Sequence, residues 1–189
     1  MGTVAYKQAL AALGQPQLMM TFEQIFAEHE VEVAQALISR ADLQSRSRYL
    51  NVRNTLDALL SIGAVPIINE NDVVAVEELA GEIYGDNDRL SAMLANTIDA
   101  NLLILLGDMD GLHTTDPHID PNSELISTVT KIDKTIENAA RGPHDKRGSG
   151  GMASKLDAAR LSMDSGIPMV IASGRVPGVI ESICNGDQL

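Results

Sequence analysis

The sequence contains one cysteine and no tryptophan, and aromatic residues make up 3% of its 189 positions. A lone thiol, Cys184, excludes an intramolecular disulfide and gives no sign of an oxidising compartment. It lies in "VIESICNG", where it reads as a small apolar residue packing one helix face. With so few rings the core must be aliphatic, and base stacking on single-stranded nucleic acid loses its usual platform. Cations are also scarce: 14 Lys and Arg against 26 Asp and Glu leave a net charge of −12. Such a chain repels a phosphate backbone, so nucleic acid is not a partner. The one basic stretch, Arg40, Arg46, Arg48 and Arg53, reads as a solvated face or a set of intramolecular salt bridges. No apolar run reaches the roughly 18 residues of a membrane span, and the N-terminus has no signal-peptide pattern. The expectation is a cytoplasmic protein without a membrane partner.

What the chain does have is apolar content of 44%, enough for a sizeable core in one domain spanning 1–189. Two periodicities alternate. Helical spacing runs through Ala5–His29, with a break expected at "GQPQ", Gly14–Gln17. "VEVAQALI", Val31–Ile38, reads as a strand, Ser47–Gly63 as a helix capped by its glycine, and Val65–Asn69 as a strand. A hairpin is expected at Val73–Tyr84 and a helix from about Asn87 to Ala100. "NLLILLGD", Asn101–Asp108, is a continuous apolar run that suits a parallel strand covered on both faces. A long loop at Met109–Glu124 and a short strand–helix unit follow. "GGMASKLDAARLSMDSG" reads as a helix, "PMVIAS" as a strand and "GVIESICNG" as a last helix. This alternation indicates a mostly parallel α/β sheet. Met19, Met20, Met152 and Met163 read as core filler.

In such sheets ligands bind beyond the carboxyl ends of the strands. Two acidic-amide clusters fall there: "NEND", Asn69–Asp72, after one strand, and "GDND", Gly85–Asp88, opening a helix. Neither contains a lysine or arginine. Asp86, Asn87 and Asp88 also suit plain helix N-capping. Taken together, the clusters suit a pocket that receives an ammonium group or a metal ion. "KRGSGGMASKLDAA" carries the second signal, with Gly148, Gly150 and Gly151 before a helix and Lys155 about one turn inside it. Glycines let the backbone approach a polyphosphate, exposed N–H groups donate to it, and the lysine adds charge. Ser154 before the lysine separates this loop from a Walker A sequence. An acidic crevice followed by a phosphate loop suggests phosphoryl transfer with Mg²⁺. "HTTDPH", with His113, Asp116 and His118, reads as a surface loop and not a zinc site, because no second ligand cluster accompanies it.

"VPIINENDVVAVEEL", "GDNDRLSAMLA", "LLILLGDMDGLHTTDP" and "GSGGMASKLDAARLSMDSGI" resemble the glutamate 5-kinases of the amino acid kinase family, in order and spacing from Lys7 to Gly186. The resemblance implies a three-layer α/β/α sandwich and ATP-dependent phosphorylation of the glutamate side-chain carboxylate, the first step of proline synthesis. It implies that Asn69 and Asp72 bind glutamate, with Asp72 on the ammonium group, and that Asp86 and Asn87 line the same pocket. Asp88 corresponds to the acidic residue that organises the catalytic lysines. Gly107 and Asp108 fall at the nucleotide-binding strand end, where the family often has Thr or Ser in place of Gly107. Ser149, Gly150, Gly151, Met152, Ala153, Ser154 and Lys155 match the ATP loop, with Lys155 on the nucleotide side. No protein ligand to Mg²⁺ is assigned.

The resemblance also implies an N-terminally truncated fold: the family's first two strands, with a phosphate-clamping lysine and a substrate-binding serine, precede Met1. It likewise implies that the family's closing strand and any accessory RNA-modification-type domain are not among these 189 residues. Proline as feedback inhibitor and a homodimer or homotetramer are family expectations, and the sequence shows no unambiguous interface stripe. Two other readings stay open: a non-catalytic glutamate-binding or oligomerisation fragment, and a sibling kinase with another acceptor.

Overall fold

The computed structural model describes residues 3–74, 87–117, 119–140 and 151–186. The chain divides into two compact units, Met1–Asn87 and Asp88–Leu189. In the first, α1 (Val4–Ala27) leads to β1 (Val33–Ile38), then α2 (Arg40–Gln44), α3 (Arg46–Ser61) and β2 (Val65–Glu70). β1 and β2 pair in parallel from Val33–Val65 to Ile38–Glu70, so both carboxyl ends lie at one edge. The expected hairpin at Val73–Tyr84 lies almost wholly outside the described residues. A turn closed by the Val74 N–H donating to the Asn71 carbonyl follows β2.

The second unit holds α4 (Asn87–Thr97), β3 (Leu103–Gly107), α5 (Lys134–Ala140), α6 (Met152–Asp164), β4 (Met169–Ser173) and α7 (Val179–Asn185). β3 and β4 pair in parallel, from Leu103–Met169 to Gly107–Ser173. Ala92 and Ala95 of α4, Leu103 and Leu105 of β3, Ala158 of α6 and Ile167 form the main buried cluster. Alanines at these helix positions let the helices approach the sheet closely, so a larger side chain there would force strain. A second cluster gathers Leu112, Ala140 and Leu156 under Ile126, Val129 and Ile136.

Helix ends follow local rules. After α3 the Gly63 N–H donates to the Leu60 carbonyl and the Ala64 N–H to the Leu59 carbonyl, with Gly63 at φ 79. This is a Schellman motif, and glycine takes its left-handed position without penalty. Gly166 after α6 repeats it, with Gly166 N–H to Met163 and Ile167 N–H to Ser162. At the start of α2, Asp42 accepts from both the Ser39 N–H at 2.8 Å and the Ser39 hydroxyl at 2.6 Å.

Several expectations need correction. α1 runs unbroken through "GQPQ", with Pro16 inside it. Pro16 is exposed, and so is Ala12, whose carbonyl the missing N–H would have bonded. Water can therefore satisfy that carbonyl. Met20 and Met163 are exposed and not core, whereas Met152 packs on the Leu112–Leu156 cluster. Cys184 is exposed on α7 instead of packing inward. β3 is buried at Leu103 and Leu105, but Leu106 is exposed, so one side of that apolar run meets solvent. Of the four arginines, Arg48 pairs with Asp42 at 3.3 Å and Arg53 with Asp57 at 3.8 Å, as the salt-bridge reading expects.

Candidate active site

The polar centre of the second unit is built from α4, β3 and α6. Asp88 sits in the first turn of α4, where a carboxylate also faces the positive helix end. Its Oδ2 accepts from Lys155 Nζ at 2.8 Å and from the Ser154 hydroxyl at 2.7 Å. Both members of the ion pair are 12% exposed. A pair so withdrawn from water loses solvation on both sides, and the Ser154 hydrogen bond helps to offset that cost. Removing either partner would take this counter-ion from a charge largely withdrawn from water.

Gly107, the last residue of β3, explains how Lys155 reaches this position. A Cβ on Gly107 would lie 3.3 Å from Lys155 Cε and 4.0 Å from Nζ. Glycine thus leaves the lysine stem room to pass the strand end. The Gly107 carbonyl is taken by the Gly174 N–H at 2.9 Å, which locks the ends of β3 and β4 together. Asp108, the next residue, is exposed. Gly151 is the N-cap of α6 in extended conformation, and Met152, Ala153, Ser154 and Lys155 form its first turn. Ser149 and Gly150 lie outside the described residues.

Along α6 and β4 runs a cavity of about 910 Å³. Met152, Leu156 and Met163 line its helix side, Ile126 and Val129 another wall, and Asp110 contributes to its rim. Its volume is that of a site for a small organic ligand. Asp110 also accepts a hydrogen bond from His113 Nε2 at 2.8 Å, which holds its carboxyl below the usual carboxylate range against a smaller opposing effect of burial. His113 and Leu125 form an antiparallel bridge, so "GLHTT" folds back as a short ribbon. His118 lies outside the described residues. Among the described residues no three His, Cys, Asp or Glu side chains come together as a metal site.

The first unit carries the other predicted residues. Asn69, near the end of β2, donates through Nδ2 to Gln15 Oε1 at 3.0 Å. Its Oδ1 accepts the Glu70 N–H at 2.9 Å. Gln15 in turn donates to Gln35 Oε1 of β1 at 3.0 Å. This amide chain fixes the Asn69 side chain, and sequence reading missed Gln15 and Gln35 because "GQPQ" reads as a break. Glu70, a member of the "NEND" cluster to which no individual role was given, is buried at the strand end. Asp72 follows in the turn, partly buried. Asn87 is the exposed first residue of α4, and Asp86 lies outside the described residues.

Residues 1–173 match the amino acid kinase family. The chain belongs to that family. It is 48% identical over 184 residues to a glutamate 5-kinase of Dehalococcoides mccartyi strain CBDB1, covering 97% of this chain and 49% of the relative. It is 49% identical over 187 residues to a glutamate 5-kinase of Moorella thermoacetica, again covering 49% of that protein. A shorter relative, the glutamate 5-kinase of Clostridium acetobutylicum, is 48% identical and is covered over 67% of its length. The chain thus spans about half the length of several curated relatives it matches. Among solved structures, the UMP kinase of Ureaplasma parvum superposes with a TM-score of 0.57 at 15% identity, over 89% of this chain and 62% of that one. That likeness shows the amino acid kinase α/β fold for this chain.

Proposed function

We propose that this chain is the amino acid kinase domain, or part of it, of a protein that transfers the γ-phosphoryl group of Mg·ATP to the side-chain carboxylate of L-glutamate. The observation that carries the reading is the partly buried Lys155–Asp88 pair at the head of α6, in a chain of this family. The names of its relatives supply the acceptor. In this reading a carboxylate oxygen of glutamate attacks the γ-phosphorus in line, the bond to the β–γ bridging oxygen breaks, and ADP leaves as L-glutamyl 5-phosphate forms. Such transfers are catalysed mainly by positioning and charge neutralisation.

Roles follow from chemistry. Lys155 offers its ammonium group to the phosphate oxygens, and Asp88 with Ser154 holds it in place. The residues from Ser149 to Ala153 receive the nucleotide phosphates, with backbone N–H groups at the start of α6 as donors, and Gly107 and Asp108 contribute to the nucleotide site at the end of β3. Mg²⁺ arrives with ATP as part of the substrate. The cavity beginning at Met152 has room for a nucleoside. Asp72 takes the glutamate ammonium group, Asn69 is aimed by its amide chain, and Asp86 and Asn87 complete that pocket. Proline competing at the glutamate pocket, a homodimer or homotetramer, and a cytoplasmic location belong to the same reading. Among the described residues no helix is long and apolar enough to cross a membrane.

Calorimetric titration of the 189-residue chain with L-glutamate and, separately, with Mg·ATP tests the assignment. Asp72→Ala should abolish the first heat and leave the second, and Lys155→Met should do the reverse. Loss of both ligands from either folded variant, or of neither, would contradict it. A second reading is a glutamate-binding module without turnover. It predicts the same glutamate heat with no ADP formed.

A further inference from the structure

The cavity along α6 and β4 reaches the head of α6, because Met152, the first residue of that helix, lines it. Leu112, Ile126, Val129, Leu156 and Met163 give it apolar walls. Asp110 is the one charged side chain among the described residues that line it. It follows the end of β3 by three residues, and that strand end lies against Lys155 in the first turn of α6. Asp110 therefore stands at the end of the cavity where the helix begins.

The carboxylate is aimed by its surroundings. Asp110 Oδ1 accepts from His113 Nε2 at 2.8 Å. The His113 side chain is 13% exposed, and its Nδ1 is buried with no hydrogen-bond partner among the described residues. Its backbone belongs to a ribbon in which the Ile126 N–H donates to the Leu112 carbonyl at 2.8 Å and the Thr114 N–H to the Glu124 carbonyl at 2.9 Å. The Asp110 side chain itself is 62% exposed, so a ligand can reach it. The histidine bond uses one acceptor position, and an ionised carboxylate has others on both oxygens.

We propose that Asp110 accepts hydrogen bonds from the ribose hydroxyls of the bound nucleotide, with His113 as the positioning residue that aims it. The inference rests on the kinase reading. With the phosphates on the N–H groups at the start of α6, connectivity puts the ribose next to them and the base farther along the cavity. An aromatic base suits walls of Leu, Ile, Val and Met, whereas the hydroxyls need acceptors when water is displaced. A carboxylate accepts without donating and can take both members of a hydroxyl pair, the use that dinucleotide-binding folds make of an acidic residue. The amino group of the base is the poorer match, because Asp110 stands at the exposed mouth and the base is the part that the apolar walls would cover.

Calorimetric titration of the 189-residue chain with Mg·ATP and with Mg·2′,3′-dideoxy-ATP tests the assignment. The dideoxy nucleotide should bind roughly tenfold more weakly, the scale of hydrogen bonds lost from a charged acceptor. Asp110→Ala should weaken ATP by about that factor and leave the dideoxy nucleotide unchanged, so that the two bind alike. His113→Phe should remove part of the discrimination and also spare the dideoxy nucleotide, whereas a merely structural role would weaken both ligands together. Equal binding of the two nucleotides by the unaltered chain, or discrimination that persists in Asp110→Ala, would overturn the proposal and leave the kinase reading standing. So would a preference for ATP over inosine triphosphate that disappears in Asp110→Ala, which would move the carboxylate to the base. A chain that gives no heat with Mg·ATP would overturn the kinase reading and this inference with it.

Discussion

The two units use the same building block, a parallel pair of strands with helices, and pack it differently. In the Asp88–Leu189 unit the alanines of α4 and α6 close onto β3, and Ala158 and Ser162 are fully buried. In the Met1–Asn87 unit only Ile38, Leu56, Ala64 and Glu70 are buried among the described residues, and α1 buries none of its 24. Apolar composition does not account for the contrast, because α1 carries Leu, Ile, Met and Phe throughout. The difference lies in whether two apolar faces meet within the chain. The Lys155–Asp88 ion pair sits in the closed unit, where both side chains are 12% exposed and a charge pair is largely shielded from competing water. The amide chain from Gln35 to Asn69 sits in the open one, where neutral hydrogen bonds suffice to aim a side chain.

The largest effect that would break this contrast concerns the ion pair. Asp88→Asn should lower glutamate-dependent turnover by roughly 10²–10³-fold, by analogy with loss of one preorganised electrostatic group. Steady-state ADP formation measures it, and an effect under tenfold would mean that Lys155 is held by something else. Next come core truncations. Leu103→Ala should cost about 2–5 kcal/mol in urea unfolding, because β3 lies under both α4 and α6. Leu13→Ala, at a position of α1 that is 69% exposed, should change stability by less than about 0.5 kcal/mol. Equal losses at the two positions would erase the distinction between the units.

A smaller effect belongs to the α2 cap. The Ser39 hydroxyl, the Ser39 N–H and Arg48 hold the Asp42 carboxyl below its ordinary range, burial opposing them. A depressed folded pKa contributes stability that is present above the unfolded value and lost as pH falls through the folded one. Asp42→Asn should therefore cost about 1 kcal/mol at neutral pH and flatten the acid limb of the stability curve below about pH 4. Urea midpoints at pH 7 and pH 3 read both. The smallest change expected is at Gly107→Ser, where the new Cβ presses on the flexible end of Lys155, which can shift by a few tenths of an ångström. Its signature is a higher Michaelis constant for ATP with folding stability little altered.

Much of this was legible in the chain. The four strands of the described residues fall within two residues of their expected bounds, because short runs rich in Val, Ile and Leu admit few alternatives. The Schellman glycine after α3 was legible for the same local reason. Contacts across long separations were not. Asp88 and Lys155 are 67 residues apart, so spacing marks each as a candidate without showing that they touch. Asn69 and Gln15 are 54 apart, and Gln15 is hidden beside a proline that looks like a helix break.

The central claim is best tested by ADP release from this 189-residue chain supplied with Mg·ATP, with and without L-glutamate. The account predicts release that depends on glutamate and is lost in Asp72→Ala and Lys155→Met. Release indifferent to glutamate, or equal in the Lys155→Met variant, would contradict it.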